Sequence, residues 1–223
     1  MPKDKIALQG EDSFKAEMFK EFSDTIEDNA LYVATTGSDS NAGTIDKPFA
    51  TVQKALDTVK AGQTIYVRGG TYNALNSFKT SGSEGKYITL RNYPNETPFL
   101  TCTTGTNGAI LLLNGCNYIK IYGLEIGGHS AEQAYGILIN DCENHIIISN
   151  NHIHNLLTTK PGENENGEAN GILLFGEGKT DETSINNICI ENNNIHNNTT
   201  GWSETLSTSG NCKYVNVINN TVH

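Results

Sequence analysis

The stretch Ile146-Ile-Ile-Ser-Asn-Asn-His-Ile-His154 decides the fold. Alternating β-branched residues lead into a polar pair, and a single apolar residue follows. That is the pattern of a strand entering a tight turn and leaving it again. The unit recurs as Ile119-Lys-Ile-Tyr-Gly-Leu-Glu-Ile126, Ile188-Cys-Ile-Glu-Asn-Asn-Asn-Ile-His196 and Val215-Asn-Val-Ile-Asn-Asn-Thr-Val-His223. Ile121, Ile148, Ile190 and Val217 correspond, at intervals of 27, 42 and 27 residues. A second unit precedes each copy: Leu111-Leu-Leu-Asn-Gly-Cys116, Gly136-Ile-Leu-Ile-Asn-Asp-Cys142, Gly171-Ile-Leu-Leu-Phe175 and Leu206-Ser-Thr-Ser-Gly-Asn-Cys212. Each repeat therefore holds about three short strands, and a period of this size predicts an all-β solenoid. One coil cannot bury its apolar face alone. Coils stacked at ~4.8 Å turn equivalent positions into continuous columns. The pairs Asn150-Asn151, Asn192-Asn193 and Asn219-Asn220 fall at the turns, where Asn accepts left-handed backbone and can bond the coils above and below. Cys116, Cys142 and Cys212 share one position and predict a ladder of buried thiols.

Working outward, Asp46-Lys-Pro48 followed by Phe49, Val52, Leu56 and Val59 predicts an amphipathic helix opened by proline and closed at Ala61-Gly62. Such a helix would cap the open end of the first coil. Residues 64–68 and 87–91 read as further strands. Residues 1–30 read as a polar leader, weakly helical around Phe14 to Phe22. Residues 31–223 read as one β-helix domain, with the cap at 31–62 and coils at 63–223. The last repeat runs to His223 without a closing helix, which sets the expectation that further coils follow in a longer chain.

Composition narrows the function. The 223 residues carry a formal net charge of −10. That excludes a nucleic-acid partner, because phosphate binding needs a basic face, and it opposes docking on anionic lipid. No stretch approaches the ~20 apolar residues of a membrane span. The five Cys are unevenly spaced with no CxxC, so neither a disulfide framework nor a zinc knuckle is indicated. The segment Met1-Pro-Lys-Asp-Lys-Ile-Ala-Leu-Gln-Gly10 lacks the apolar core of a secretion signal.

Leu31-Tyr-Val-Ala-Thr-Thr-Gly-Ser-Asp-Ser-Asn-Ala-Gly-Thr44, Lys47-Pro-Phe-Ala-Thr-Val-Gln-Lys-Ala-Leu56 and Ala61-Gly-Gln-Thr-Ile-Tyr-Val-Arg-Gly-Gly-Thr-Tyr72 resemble the opening of right-handed parallel β-helix proteins of the family 9 pectate lyase type. The resemblance spans about residues 31–100. It implies a right-handed parallel β-helix with an N-terminal capping helix. It also implies a secreted or cell-surface protein acting on acidic plant cell-wall polysaccharide. In such lyases Ca²⁺ held by clustered acids neutralises the uronate carboxylate, and a Lys abstracts the proton at C5. A lysine base needs its pKa lowered by burial or a nearby cation.

The candidate groove wall is the strand Gly136-Ile-Leu-Ile139 and its equivalents. The loops expected beside it are 127–134, 156–169 and 197–203. Within 156–169, Glu163, Glu165 and Glu168 offer carboxylates suited to Ca²⁺. The spacing matches no EF-hand, and the family's usual ligands are Asp. Lys160 and Lys179 are the candidate bases, each weighed against an ordinary solvated charge. Trp202, the only Trp, is a candidate sugar-stacking platform, with Glu204, Asn170 and His129 as further substrate-binding candidates. His154, His196 and His223 recur at one position, which predicts a stacked structural column. Glu168 and Glu204 would also allow the carboxylate pair of a glycoside hydrolase.

At −10 the chain would repel polygalacturonate unless divalent cations bridge the two. A Ca²⁺-dependent lyase, acting as a monomer, is the leading expectation. A non-catalytic glycan-binding or tailspike-like β-helix and a glycoside hydrolase are the alternatives.

Overall fold

The computed structural model describes residues 10, 12–18, 20, 23–141, 144–162, 166–177 and 185–223. Cys142, Glu163, Glu165 and Lys179 lie outside the described residues. A short helix, α1 (Asp12–Met18), precedes β1 (Leu31–Val33) and α2 (Val52–Thr58). Five three-strand coils follow. They are β2 (Thr64–Val67), β3 (Gly70–Asn73) and β4 (Asn76–Phe78); β5 (Ile88–Asn92), β6 (Pro98–Thr101) and β7 (Gly108–Asn114); β8 (Ile119–Tyr122), β9 (Glu125–Ala131) and β10 (Gln133–Asn140); β11 (Asn144–Ser149), β12 (His152–Thr158) and β13 (Glu168–Gly176); and β14 (Ile185–Glu191), β15 (Asn194–His196) and β16 (Leu206–Gly210). β17 (Cys212–Ile218) and β18 (Thr221–Val222) begin another coil.

From β2 onward, no described strand pairs with its neighbour in sequence; β1 pairs with β2 across the capping helix. Each pairs in parallel with its equivalent one coil away. This builds a seven-stranded first sheet (β1-β2-β5-β8-β11-β14-β17), a five-stranded second sheet (β4-β7-β10-β13-β16) and a six-stranded third sheet (β3-β6-β9-β12-β15-β18). The molecule is an all-β, right-handed parallel β-helix: the solenoid was expected from the repeat, and its right hand from the family resemblance. Ile121 pairs with Ile148, Ile148 with Ile190, and Ile190 with Val217. The first three are fully buried, and Val217, on the last rung, is half exposed. Leu111, Ile137, Ile172 and Leu206 form the matching column of the second sheet.

The Asn pairs divide their labour. Asn150, Asn192 and Asn219 take φ near +55° (57°, 55° and 54°) and turn the chain. Asn151 and Asn193 are buried and bond along the stack. The Asn193 Oδ1 accepts both the backbone N–H of Asn151 (2.9 Å) and its Nδ2 (3.0 Å). Asn220 Oδ1 does the same for Asn193, at 2.9 Å in each case. The buried backbone N–H and side-chain amide of Asn151 and of Asn193 thus find partners in an adjoining coil, as burial requires.

Two expectations change. The capping helix starts at Val52, not at Pro48, because Thr51 is its N-cap and accepts from Lys54 N. Asp39 fixes that cap by accepting from Ala50 N and Thr51 N. Val52, Ala55 and Leu56 then close the interior against Val33, Val67 and Phe78. The leader, in turn, is partly docked on the coil. Phe14 and Met18, spaced i and i+4 on α1, are buried against Ile147, Cys189 and Ile218 on the outer face of the first sheet. Glu17 pairs with Lys120 of β8 beside them. The thiol ladder is visible only in part: Cys116 is buried and Cys212 half-buried, each donating to carbonyls of its own turn (Asn114 and Ser209).

Replacing Asn193 with Leu leaves the Asn151 N–H and amide without their shared acceptor. Each orphaned buried group costs ~1–3 kcal/mol, so the urea midpoint should fall sharply. Asn192→Gly, at a φ that Gly adopts freely, should change stability by less than about 1 kcal/mol. Equal midpoints for the two variants would contradict the ladder.

Candidate functional site

Along the second sheet, alternate residues of β10 and β13 point outward. Ala109, Tyr135 and Leu173 form a small apolar cluster there, flanked by Leu112 and Leu138. Above it stands the 197–205 segment, carried by the longest coil. The 42-residue interval seen in the sequence places extra chain between β12 and β13, and the next coil's loop rides on it. Thr158 N bonds Thr199 O (3.0 Å), and Ala169 N bonds Thr200 O (3.1 Å). Gly201, at φ +65°, passes so close to Gly167 that a Cβ there would lie 2.4 Å from its carbonyl oxygen. Trp202, 64% exposed, donates its indole N–H to Gly162 O at 3.0 Å. The ring is therefore tethered to the neighbouring loop while remaining open to solvent.

Between Trp202 and the sheet lies a groove of about 360 Å³, lined among others by Tyr135, Glu168, Phe175, Trp202, Ser203 and Glu204. The Tyr135 hydroxyl donates to Glu168 Oε1. Ser207 Oγ donates to Glu204 Oε2 at 3.1 Å. Burial, reinforced by the Glu168 carboxylate, pushes the Tyr135 phenol well above the ordinary tyrosine range. Aromatic faces beside carboxylates and hydroxyls can hold a sugar, whose C–H face packs on rings while its hydroxyls need polar partners.

The groove gathers three of the candidates read from sequence: Glu168, Trp202 and Glu204. Asn170 lies behind it, fully buried, its Nδ2 donating to Ser203 Oγ (2.6 Å) and Glu204 O. It braces the loop and does not line the groove. His129 is likewise fully buried, with Nδ1 and Nε2 at 3.0 and 3.1 Å from the carbonyls of Cys102 and Gly108. The reason is that 127–134 is not a loop: β9 runs to Ala131, β10 starts at Gln133, and His129 points inward between them. Lys160 makes a half-exposed ion pair with Glu132 (2.8 Å), away from the groove lining. Glu163, Glu165 and Lys179 fall outside the described residues. Tyr135 and Phe175 were missed, because each sits in a strand whose neighbours are also apolar.

A second cleft, about 570 Å³, lies under residues 23–28 on the outer face of the first sheet. Arg91 and Lys120 are buried in it, Arg91 over the rings of Tyr66 and Tyr122. Burial pulls the Lys120 ammonium down, against the Glu17 carboxylate that holds it charged. The chain's own N-terminal segment covers this cleft, and Arg91 Nη1 donates to Ser23 O (2.8 Å).

The coil stack defines the class: a right-handed parallel β-helix. The chain belongs to the Pel9A-like, right handed beta helix family, whose sequence profile matches residues 31–216. It is 36% identical over 200 residues to the uncharacterized protein YwoF of Bacillus subtilis (strain 168), covering 86% of this chain and 41% of that one. It is 30% identical over 175 residues to pectate lyase PEL9 of Emericella nidulans, covering 72% of this chain and 37% of that one. The chain thus spans about two fifths of these relatives. Its fold is shared with the GH136 lacto-N-biosidase of Eubacterium ramulus (TM-score 0.69, 16% identity, 86% of this chain and 40% of that one). Among the described residues no helix is long and apolar enough to cross a membrane.

The raised Tyr135 has a pH consequence. Its neutral form is favoured in the fold, so its contribution to stability is complete below the unfolded tyrosine value near ~10 and is lost as pH rises through and beyond it. Tyr72, pushed up to about 12 mainly by burial, behaves alike. Denaturation midpoints should therefore fall above pH ~10, and Tyr135→Phe should flatten that fall. An unchanged slope would contradict the buried Tyr135–Glu168 contact.

Proposed function

We propose that this chain is the glycan-engaging coil segment of a secreted, pectate-lyase-like protein, with the polymer lying along the second-sheet groove. The observation that carries this is Trp202: a tryptophan 64% exposed, held by its own N–H, facing two carboxylates and a buried tyrosine. Trp202 supplies the stacking face. Glu168, Glu204, Ser203 and Ser207 supply partners for sugar hydroxyls. Membership of the Pel9A-like family supports acidic plant polysaccharide as the substrate and β-elimination as the reaction. Lys160, on the loop adjoining the groove, is the described basic candidate, and Lys179 is the other one read from sequence. Calcium would neutralise the uronate charge that a chain of net charge −10 otherwise repels. Of the three loop acids, Glu168 is the one described, and its Oε1 already accepts the Tyr135 hydroxyl.

Hydrolysis is the second reading. Among the described residues, the titratable groups lining the groove are Glu168, Glu204 and Tyr135, with no basic side chain. Two carboxylates at one groove suit an acid–base pair.

Incubation with polygalacturonate separates these readings. β-Elimination predicts ultraviolet absorbance from unsaturated ends that EDTA abolishes. Hydrolysis predicts reducing ends without that absorbance. Trp202→Ala should weaken oligogalacturonate binding about tenfold, near 1.4 kcal/mol, while leaving the unfolding midpoint unchanged. Wild-type binding by Trp202→Ala would remove the groove from the account.

A further inference from the structure

The third sheet carries a cluster that neither the fold nor the groove uses. On its outer face, Glu125 of β9 pairs in register with His152 of β12, and His154, two residues on, points to the same side. His154 pairs in turn with His196 of β15. The backbone beneath is fixed, because the alternating inward residues Ile126, Ile153 and Ile195 are fully buried. Stacking in register therefore delivers donors from neighbouring coils to one spot.

Their geometry exceeds what a column of stacked rings needs. His154 is sandwiched: Phe99 lies below it (centroids 5.8 Å, 6° between planes) and His196 above it (5.5 Å, 17°). His223 continues the stack on His196 at 5.3 Å. Packing alone would be satisfied by that column. Yet His154 Nε2 also lies 3.0 Å from Glu125 Oε1. His152 tilts in at 4.5 Å from His154, and its Nε2 meets His196 Nε2 at 2.7 Å. One ligand atom each from Glu125, His152 and His154 falls within 4.8 Å of the others. A tetrahedral ion with ~2.0–2.1 Å bonds requires ligand atoms about 3.3 Å apart, so a modest rotation of the exposed His152 ring closes the set. Glu125 and His154 are half-buried, and exposed His152 leaves a path for an ion to enter.

The geometry points to a binding site for one borderline transition-metal ion of the Zn²⁺ class, ligated by Glu125, His152 and His154. Two imidazoles and one carboxylate favour Zn²⁺, Ni²⁺ or Cu²⁺ over the hard cations Ca²⁺ and Mg²⁺, which take oxygen ligands. Three protein ligands leave a coordination position for water. His196 orients the His152 ring, and Phe99 holds the His154 ring; both are positioning residues. The site lies on a different face from the groove, so its occupancy is independent of glycan binding there.

The test is isothermal titration of chelator-treated protein with ZnCl2, and separately with CaCl2. One equivalent of Zn²⁺ should bind saturably, with no matching Ca²⁺ isotherm at this site. His154→Ala and Glu125→Gln should each weaken Zn²⁺ at least tenfold. His223→Ala, which removes a stacked ring and no ligand, should bind as wild type. Far-UV circular dichroism confirms that each variant is folded, and the conservative Glu125→Gln decides the matter if His154→Ala is not. Co²⁺ substitution should give the visible absorption of a low-symmetry site in wild type and lose it in Glu125→Gln. Absence of one-equivalent Zn²⁺ binding, or wild-type affinity in a folded His154→Ala or Glu125→Gln, overturns the site.

Discussion

Parallel pairing in strict register, coil upon coil, is the constraint from which the rest follows. It places every residue against its equivalent one turn away, so a choice made once in the repeat is multiplied along the stack. Inside, it yields columns of Ile and Leu with no exposed surface. At the turns, it yields the Asn151–Asn193–Asn220 ladder, which saves buried amides from going unpaired. Outside, it sets side chains in rows, and chemistry arises where a row is irregular.

The three outer faces have diverged accordingly. The first is covered by the chain's own α1 and residues 23–28, which pair Glu17 with Lys120 and lay Arg91 between tyrosines. The second keeps an apolar floor and gains an aromatic wall where the long fourth coil lifts the 197–205 loop over it. The third collects histidines. Because the interior is fixed, each face can vary without disturbing the others, which is how one scaffold hosts unrelated sites.

The repeat was legible because alternation and Asn pairs are local signals that survive in any one coil. The Ile121–Ile148–Ile190 column and the His154–His196–His223 stack were both readable from spacing alone. Long-range contacts were not. Asp39 moves the start of α2 from eleven residues before Ala50, and Phe14 and Met18 dock α1 through only two apolar side chains in a polar segment. Trp202, Glu168 and Glu204 stood out as unusual residues in loops. Tyr135 and Phe175 did not, since an outward aromatic in a strand of apolar neighbours looks like core. His129 was misplaced for the opposite reason: Gly127-Gly128 suggested a loop where the strand continues. Glu125 reaches His152 and His154 only through register between coils, which a linear reading does not reveal.

Hydrogen–deuterium exchange of the protein with and without saturating oligogalacturonate, in the presence of Ca²⁺, tests the central claim most directly. Bound sugar along the second sheet should slow exchange in residues 168–176 and 198–210 and leave residues 23–28 unchanged. Protection confined to residues 23–28 and the first sheet, with none around Trp202, would place the polymer on the other face and contradict the account.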